Sequence, residues 1–91
     1  MKKHGNDIYY TVHKKKAIED IQNLKAAKLA DKAENLCKSL TINSMPLNSK
    51  KLYRDLVGKR SIRINLQHRL VYEILEDKKI IKILSMWGHY E

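Results

Sequence analysis

Between Ser61 and Ile74 the chain alternates between apolar and polar side chains. Ile62, Ile64 and Leu66 are separated by Ser61, Arg63 and Asn65, the period of two that a half-buried β-strand requires. Beyond Gln67, Leu70, Tyr72 and Ile74 alternate with Arg69, Val71 and Glu73, which predicts a second strand. Each strand carries an arginine on the face away from its apolar residues. Upstream, Ile8 to His13 is β-branched and aromatic and predicts a first strand. From Lys14 the period changes: Ile18, Ile21, Leu24 or Lys25, Leu29, Ala33, Leu36 and Leu40 recur at the spacing of an amphipathic helix. No Gly or Pro interrupts the stripe. Its phase permits one helix of about 25 residues, or two shorter helices folded back near Leu24 to Lys28, and packing against a small sheet favours two.

Thr41 to Ser49 gathers turn formers and the only proline, Pro46, so the helical part is expected to end there. Lys50 to Gly58 reads as a basic, exposed linker in which Gly58 supplies a turn or bulge before Ser61. Glu76-Asp77-Lys78-Lys79 predicts a polar hairpin turn, and the more apolar Ile80 to Leu84 predicts a final strand in a central position. Its parity is ambiguous from Ser85 onward, so periodicity does not fix the direction of His89. Strand, helices, loop and antiparallel meander together predict a compact α+β domain.

Ninety-one residues suffice for one core. The expected division is a flexible tail at 1–7 and a single domain at 8–91. No run approaches the roughly 18 apolar residues that span a bilayer, and the N-terminus lacks the apolar segment of a secretory signal, so a cytoplasmic protein that avoids membranes is expected. Cys37 is the only cysteine, which excludes an intrachain disulfide and suits a reducing compartment. His4, His13, His68 and His89 are scattered, so no metal and no cofactor are expected. The formal net charge of +9 favours nucleic acid, an anionic membrane surface or an acidic protein. Arg54, Lys59, Arg60, Arg63 and Arg69 crowd into one short region, beyond what a solubilising surface needs. Lys14-Lys15-Lys16 reads as a solvated helix start.

Arg63 to Tyr72, Arg-Ile-Asn-Leu-Gln-His-Arg-Leu-Val-Tyr, followed after a hairpin by a terminal His89-Tyr90, resembles the YoeB/Txe family of RelE-like toxins. Lys51-Leu52, Asp55-Leu56 and Gly58 keep the family's spacing ahead of Ser61. The resemblance implies a RelE-like fold, a small antiparallel twisted sheet packed with two helices from the N-terminal half. It implies the toxin of a type II toxin–antitoxin system, a ribosome-dependent, metal-free endoribonuclease that cleaves mRNA by attack of the ribose 2′-hydroxyl. The implied partners are a YefM/Axe-type antitoxin, the ribosome and mRNA, and a homodimer is compatible with the family. Carried over, Arg63 and Arg69 clamp the phosphate, His89 is the general acid and Tyr90 helps to position substrate. The chemistry agrees: guanidinium groups meet two non-bridging oxygens with forked hydrogen bonds, and an imidazole can donate a proton near neutrality. Lys51, Arg54, Lys59 and Arg60 are the candidate RNA contacts. His68 shares the parity of Leu70 and Tyr72 and is expected to be structural, and Trp87 and Met86 are expected in the core or an interface.

One position departs from the family. Two residues before Leu52 the family carries a glutamate as general base, and this chain has Lys50. An ammonium group cannot accept a proton. Lys50 therefore either is held neutral by the surrounding positive charge, or stays charged and stabilises the transition state while another group takes the proton. Glu73 is a substitute base in principle, although an ion pair with Arg69 is the stronger expectation. The alternative function is a weakened or inactive member that keeps antitoxin and RNA binding. A third reading, a basic DNA-binding regulator, lacks any helix-turn-helix signature.

Overall fold

The computed structural model describes residues 8–88, which form two helices on one face of a five-stranded sheet. The expected tail at 1–7 and the terminal His89-Tyr90-Glu91 lie outside the described residues. In chain order the elements are β1 (Tyr10–His13), α1 (Lys15–Ala26), α2 (Ala30–Ile42), β2 (Ser49–Lys51), β3 (Lys59–Arg63), β4 (Arg69–Leu75) and β5 (Ile80–Ser85), with a 3-10 turn at Arg54–Leu56. The α+β fold expected from the sequence is the one observed. Strand order is β1-β5-β4-β3-β2, with β2 to β5 antiparallel to their neighbours and β1 parallel to β5.

The uninterrupted apolar stripe is two helices. Ala27 ends α1 and Lys28 takes a left-handed φ of 62°. The N–H of Leu29 donates to the carbonyl of Leu24 at 2.8 Å and that of Lys28 to Lys25 at 3.0 Å, the paired bonds of a Schellman stop. The sequence leaves this break unmarked because a lysine stands where glycine is usual. Ile18, expected in the core stripe, is 55% exposed, whereas Ala17, Asp20 and Leu24 are buried. Asp20 faces inward because its carboxylate accepts the buried N–H of Met86 at 2.8 Å and also pairs with Lys16.

The core lies between the helices and Ile62, Ile64, Leu70, Tyr72, Ile81 and Ile83. Tyr72, fully buried, donates its hydroxyl to the carbonyl of Ser44 at 2.8 Å and so fastens the loop after α2 to the middle strand. β4 holds the central place and β5 lies beside it, interior to the sheet. The strand expected through Leu66 ends at Arg63, and Leu66 is 82% exposed. Asn65 closes the turn there: its side-chain oxygen accepts the N–H groups of Gln67 and His68 at 2.9 and 2.8 Å, an Asx turn that outweighs the alternation. The supposed linker contains the edge strand β2 and the buried Leu52. Gly58, at φ +89°, makes the expected turn.

The ambiguity after Ile83 has a cause. Tyr72 pairs with Ile83 but Val71 with Ser85, so Leu84 is an extra residue, a β-bulge that reverses which face the following side chains take. Met86 thereby enters the core and Trp87 packs against it.

Candidate active site

Residues directly opposite one another in antiparallel strands point to the same face, so the sheet register sorts the candidate residues. Lys50 pairs with Ser61, Ser61 with Val71, and Val71 with Ser85. Arg63 pairs with Arg69, and Lys59 with Glu73. These residues all lie on the face without helices, since their neighbours Ile62, Leu70 and Tyr72 fill the core. Ser61, Arg69, Val71 and Ser85 form a buried floor, while Lys50 and Arg63 are exposed at the rim.

Lys51 pairs with Arg60, on the opposite face. Arg60 donates from Nη2 to the hydroxyl of Ser49 at 2.9 Å, and so ties β3 to the edge strand. Arg54 is exposed in the 3-10 turn. The sheet thus divides the candidate RNA contacts: Lys59 lies with the arginine pair, and Lys51 and Arg60 lie behind it.

Arg69 is 5% exposed, and its Nε donates to the hydroxyl of Ser61 at 2.9 Å. Among the described residues no carboxylate pairs with Arg69 or Arg63. The expected Glu73–Arg69 pair does not form; Glu73 pairs instead with its cross-strand neighbour Lys82 at 3.6 Å. A buried cation held by one neutral hydroxyl and facing a second cation is costly without an anion. The arrangement is one an anionic ligand would relieve.

His89 and Tyr90 lie outside the described residues. The chain leading to them is defined: the carbonyl of Gly88 accepts the N–H of Arg69 at 2.9 Å, and the N–H of Gly88 donates to Nδ1 of His68 at 3.1 Å. His68 also stacks on Trp87, with ring centroids 3.7 Å apart and planes 17° from parallel. Sequence reasoning assigned His68 a structural role without this contact, and missed Ser61 and Asn65. The signal for Asn65 was available, as a turn-forming residue between two arginine-bearing strands; Ser61 carried none, because its meaning depends on register.

A cavity of about 500 Å³ lies on the opposite side between β1 and the helices, lined in part by Thr11, His13, Leu24 and Cys37. Cys37 Sγ and His13 Nε2 are 4.0 Å apart. Burial pushes the Cys37 thiol up to about 11 and pushes His13 below its ordinary value. Both neutral forms are favoured, so the pair is not the thiolate–imidazolium couple of a nucleophilic site.

Comparisons with known proteins bear on the fold and the family. The family described as ParE toxin of type II toxin–antitoxin system, parDE, matches residues 11–91. Among solved structures, the chain is similar to the toxin of a YoeB–YefM complex from Staphylococcus aureus, at 33% identity over 90% of this chain and 98% of that one, with a TM-score of 0.74. A YoeB dimer from the same organism matches at 33% identity with a TM-score of 0.75, covering 90% and 98% of the two chains. A YoeB/ParE toxin from Agrobacterium tumefaciens, 21% identical over 89% of this chain and 99% of that one, shares the fold with a TM-score of 0.80. The comparison with curated proteins gives no match. With the match covering nearly its whole length, the chain belongs to the ParE toxin family of type II toxin–antitoxin systems, as a RelE-like toxin of the YoeB kind.

Proposed function

We propose that the protein is a ribosome-dependent endoribonuclease that cuts mRNA without a metal ion. The observation that carries the reading is the arginine pair: Arg69, buried against Ser61, faces Arg63 with no carboxylate partner among the described residues. Two forked cations on one face suit the non-bridging oxygens of a phosphodiester, on which negative charge grows as the 2′-oxygen attacks phosphorus. The bond from phosphorus to the 5′-oxygen breaks, leaving a cyclic phosphate and a free 5′-hydroxyl. His89 donates the proton that the 5′-oxygen takes, and Tyr90 helps to position the substrate. Lys59 and Arg54 extend the positive surface along the RNA, with Lys51 and Arg60, on the opposite face of the sheet, contributing less.

The 2′-hydroxyl proton needs an acceptor, and Lys50, on the edge strand beside Ser61, stands in the base's place. This residue motivates a second reading, a weakened or inactive toxin that still binds RNA and antitoxin. Loss of a base costs about 10²–10⁴-fold, so the two readings differ measurably. The test is mRNA cleavage on programmed ribosomes with EDTA present, comparing the parent with Lys50→Glu and His89→Ala. Cuts by the parent that vanish in His89→Ala are expected. A silent parent with an active Lys50→Glu variant would establish the second reading, and silence from both would overturn the nuclease. By analogy with the YoeB–YefM complex, the protein's other partner is an antitoxin of the YefM kind, and a homodimer follows the YoeB dimer.

A further inference from the structure

We infer that His68 is a positioning residue of this site, holding Trp87 and Gly88 against the start of β4 beside the arginine pair. The inference rests on the nuclease reading and adds to it a means of fixing Gly88 and the backbone of Arg69 to one another at the phosphate site.

The clamp is built from the turn outward. Asn65 fixes the β3–β4 turn through the N–H groups of Gln67 and His68, and the N–H of Ile64 donates to the His68 carbonyl at 2.9 Å. His68 is thereby presented where β4 begins. Its ring lies on the Trp87 indole, and its Nδ1 accepts the Gly88 N–H at 3.1 Å, while the next residue, Arg69, donates its own N–H to the Gly88 carbonyl at 2.9 Å. Both backbone polar groups of Gly88 are therefore held by consecutive residues, one of which is a phosphate-clamp candidate.

An acceptor at Nδ1 places the ring proton on Nε2. Among side chains, imidazole combines a flat face for the indole with an acceptor at this position. Gly88 itself has φ +127°, where glycine is favoured, so the chain changes direction at the clamped residue. Gly88 is the residue before the proposed acid in sequence, and its carbonyl is bonded to the backbone of Arg69, so the way Gly88 is held bears directly on the phosphate clamp. Reacting groups misplaced by about 1 Å can lose about 10²-fold in rate.

The test compares His68→Phe, which keeps a flat ring but no acceptor, with His68→Asn, which keeps an oxygen near the Nδ1 position but no ring. Cleavage on programmed ribosomes gives kcat and KM, and hydrogen exchange at the Gly88 amide reads the tether without reference to activity. Trp87 is the only tryptophan, so its emission reports the stack. In His68→Phe, kcat is expected to fall about 10²-fold with KM and melting temperature nearly unchanged and Gly88 exchange accelerated. In His68→Asn, most of kcat and of the Gly88 protection is expected to return while the Trp87 emission shifts. Parental cleavage by His68→Phe, or parental Gly88 protection in it, would overturn the inference. A parent that cuts no RNA would remove the positioning role along with the nuclease reading, and Gly88 exchange would show that the tether itself had not failed.

Discussion

Cys37 and His13 face each other behind the sheet and are pushed in opposite directions by the same burial. The thiol, raised to about 11 from an ordinary 9.0, is neutral in the folded protein, whereas the unfolded chain ionises from about pH 9. Its contribution to stability is complete below pH 9 and is lost as pH rises toward 11, a change on the order of 2 kcal/mol. Tyr9, raised chiefly by its hydrogen bond to Glu76 and by burial, acts in the same direction. For His13 the sign is reversed: burial lowers it from 6.5, so its contribution is present above that value and is lost as pH falls through the lowered one. Urea unfolding should therefore show stability declining on both sides of a neutral plateau. Cys37→Ala should flatten the alkaline limb and His13→Gln the acid limb; an unchanged alkaline slope in Cys37→Ala would contradict the assignment.

Among the elements, the stop between α1 and α2 carries visible strain. Lys28 holds a left-handed conformation that costs a residue with a Cβ roughly 1–2 kcal/mol, which glycine avoids at the price of a more flexible unfolded chain. Lys28→Gly is expected to raise stability by about 0.5–1 kcal/mol, read as a higher urea midpoint with an unchanged slope. A lower midpoint would mean that the lysine side chain has a stabilising role at the stop. The same element level explains the end of β5. The bulge at Leu84 breaks the ladder, and Asp20 of α1 supplies the acceptor that Met86 needs. A buried carboxylate on an amphipathic helix is the counterpart of a backbone N–H 66 positions later, just past the bulge.

At the scale of the whole molecule, the formal charge of +9 on 91 residues would govern encounter with the RNA of the proposed function. If Lys50, Lys59, Arg63 and Arg69 each meet a phosphate of a single strand, log affinity should fall with log salt at a slope of roughly −3. Arg63→Gln and Lys59→Gln should each reduce the slope by roughly 0.7, whereas Lys51→Gln, on the other face, should change it less. Fluorescence anisotropy of a short RNA across a salt series measures this, and a flat series would remove RNA from the partners of this face. No helix among the described residues is long and apolar enough to cross a membrane.

Local pattern carried a good part of this protein. Alternation marked the faces of β4 and the arginines opposite its core, composition marked the hairpin at Glu76 to Lys79, and Gly58 marked its turn. The run from Arg63 to Tyr72 carried the family, because its residue types and spacing are specific without any knowledge of pairing. What alternation could not carry was register. Whether Lys50, Ser61 and Arg63 share a face with Arg69 depends on which residues of different strands lie opposite, a non-local choice made by the packing of the whole sheet. The same holds for the bulge that turns Met86 inward, the parallel seat of β1 beside β5, and the stack that brings His68 to Trp87. Each joins residues far apart in sequence, and their energies exist only once the chain has folded; the sequence determined the chemistry of the groups, and tertiary structure decided which of them meet.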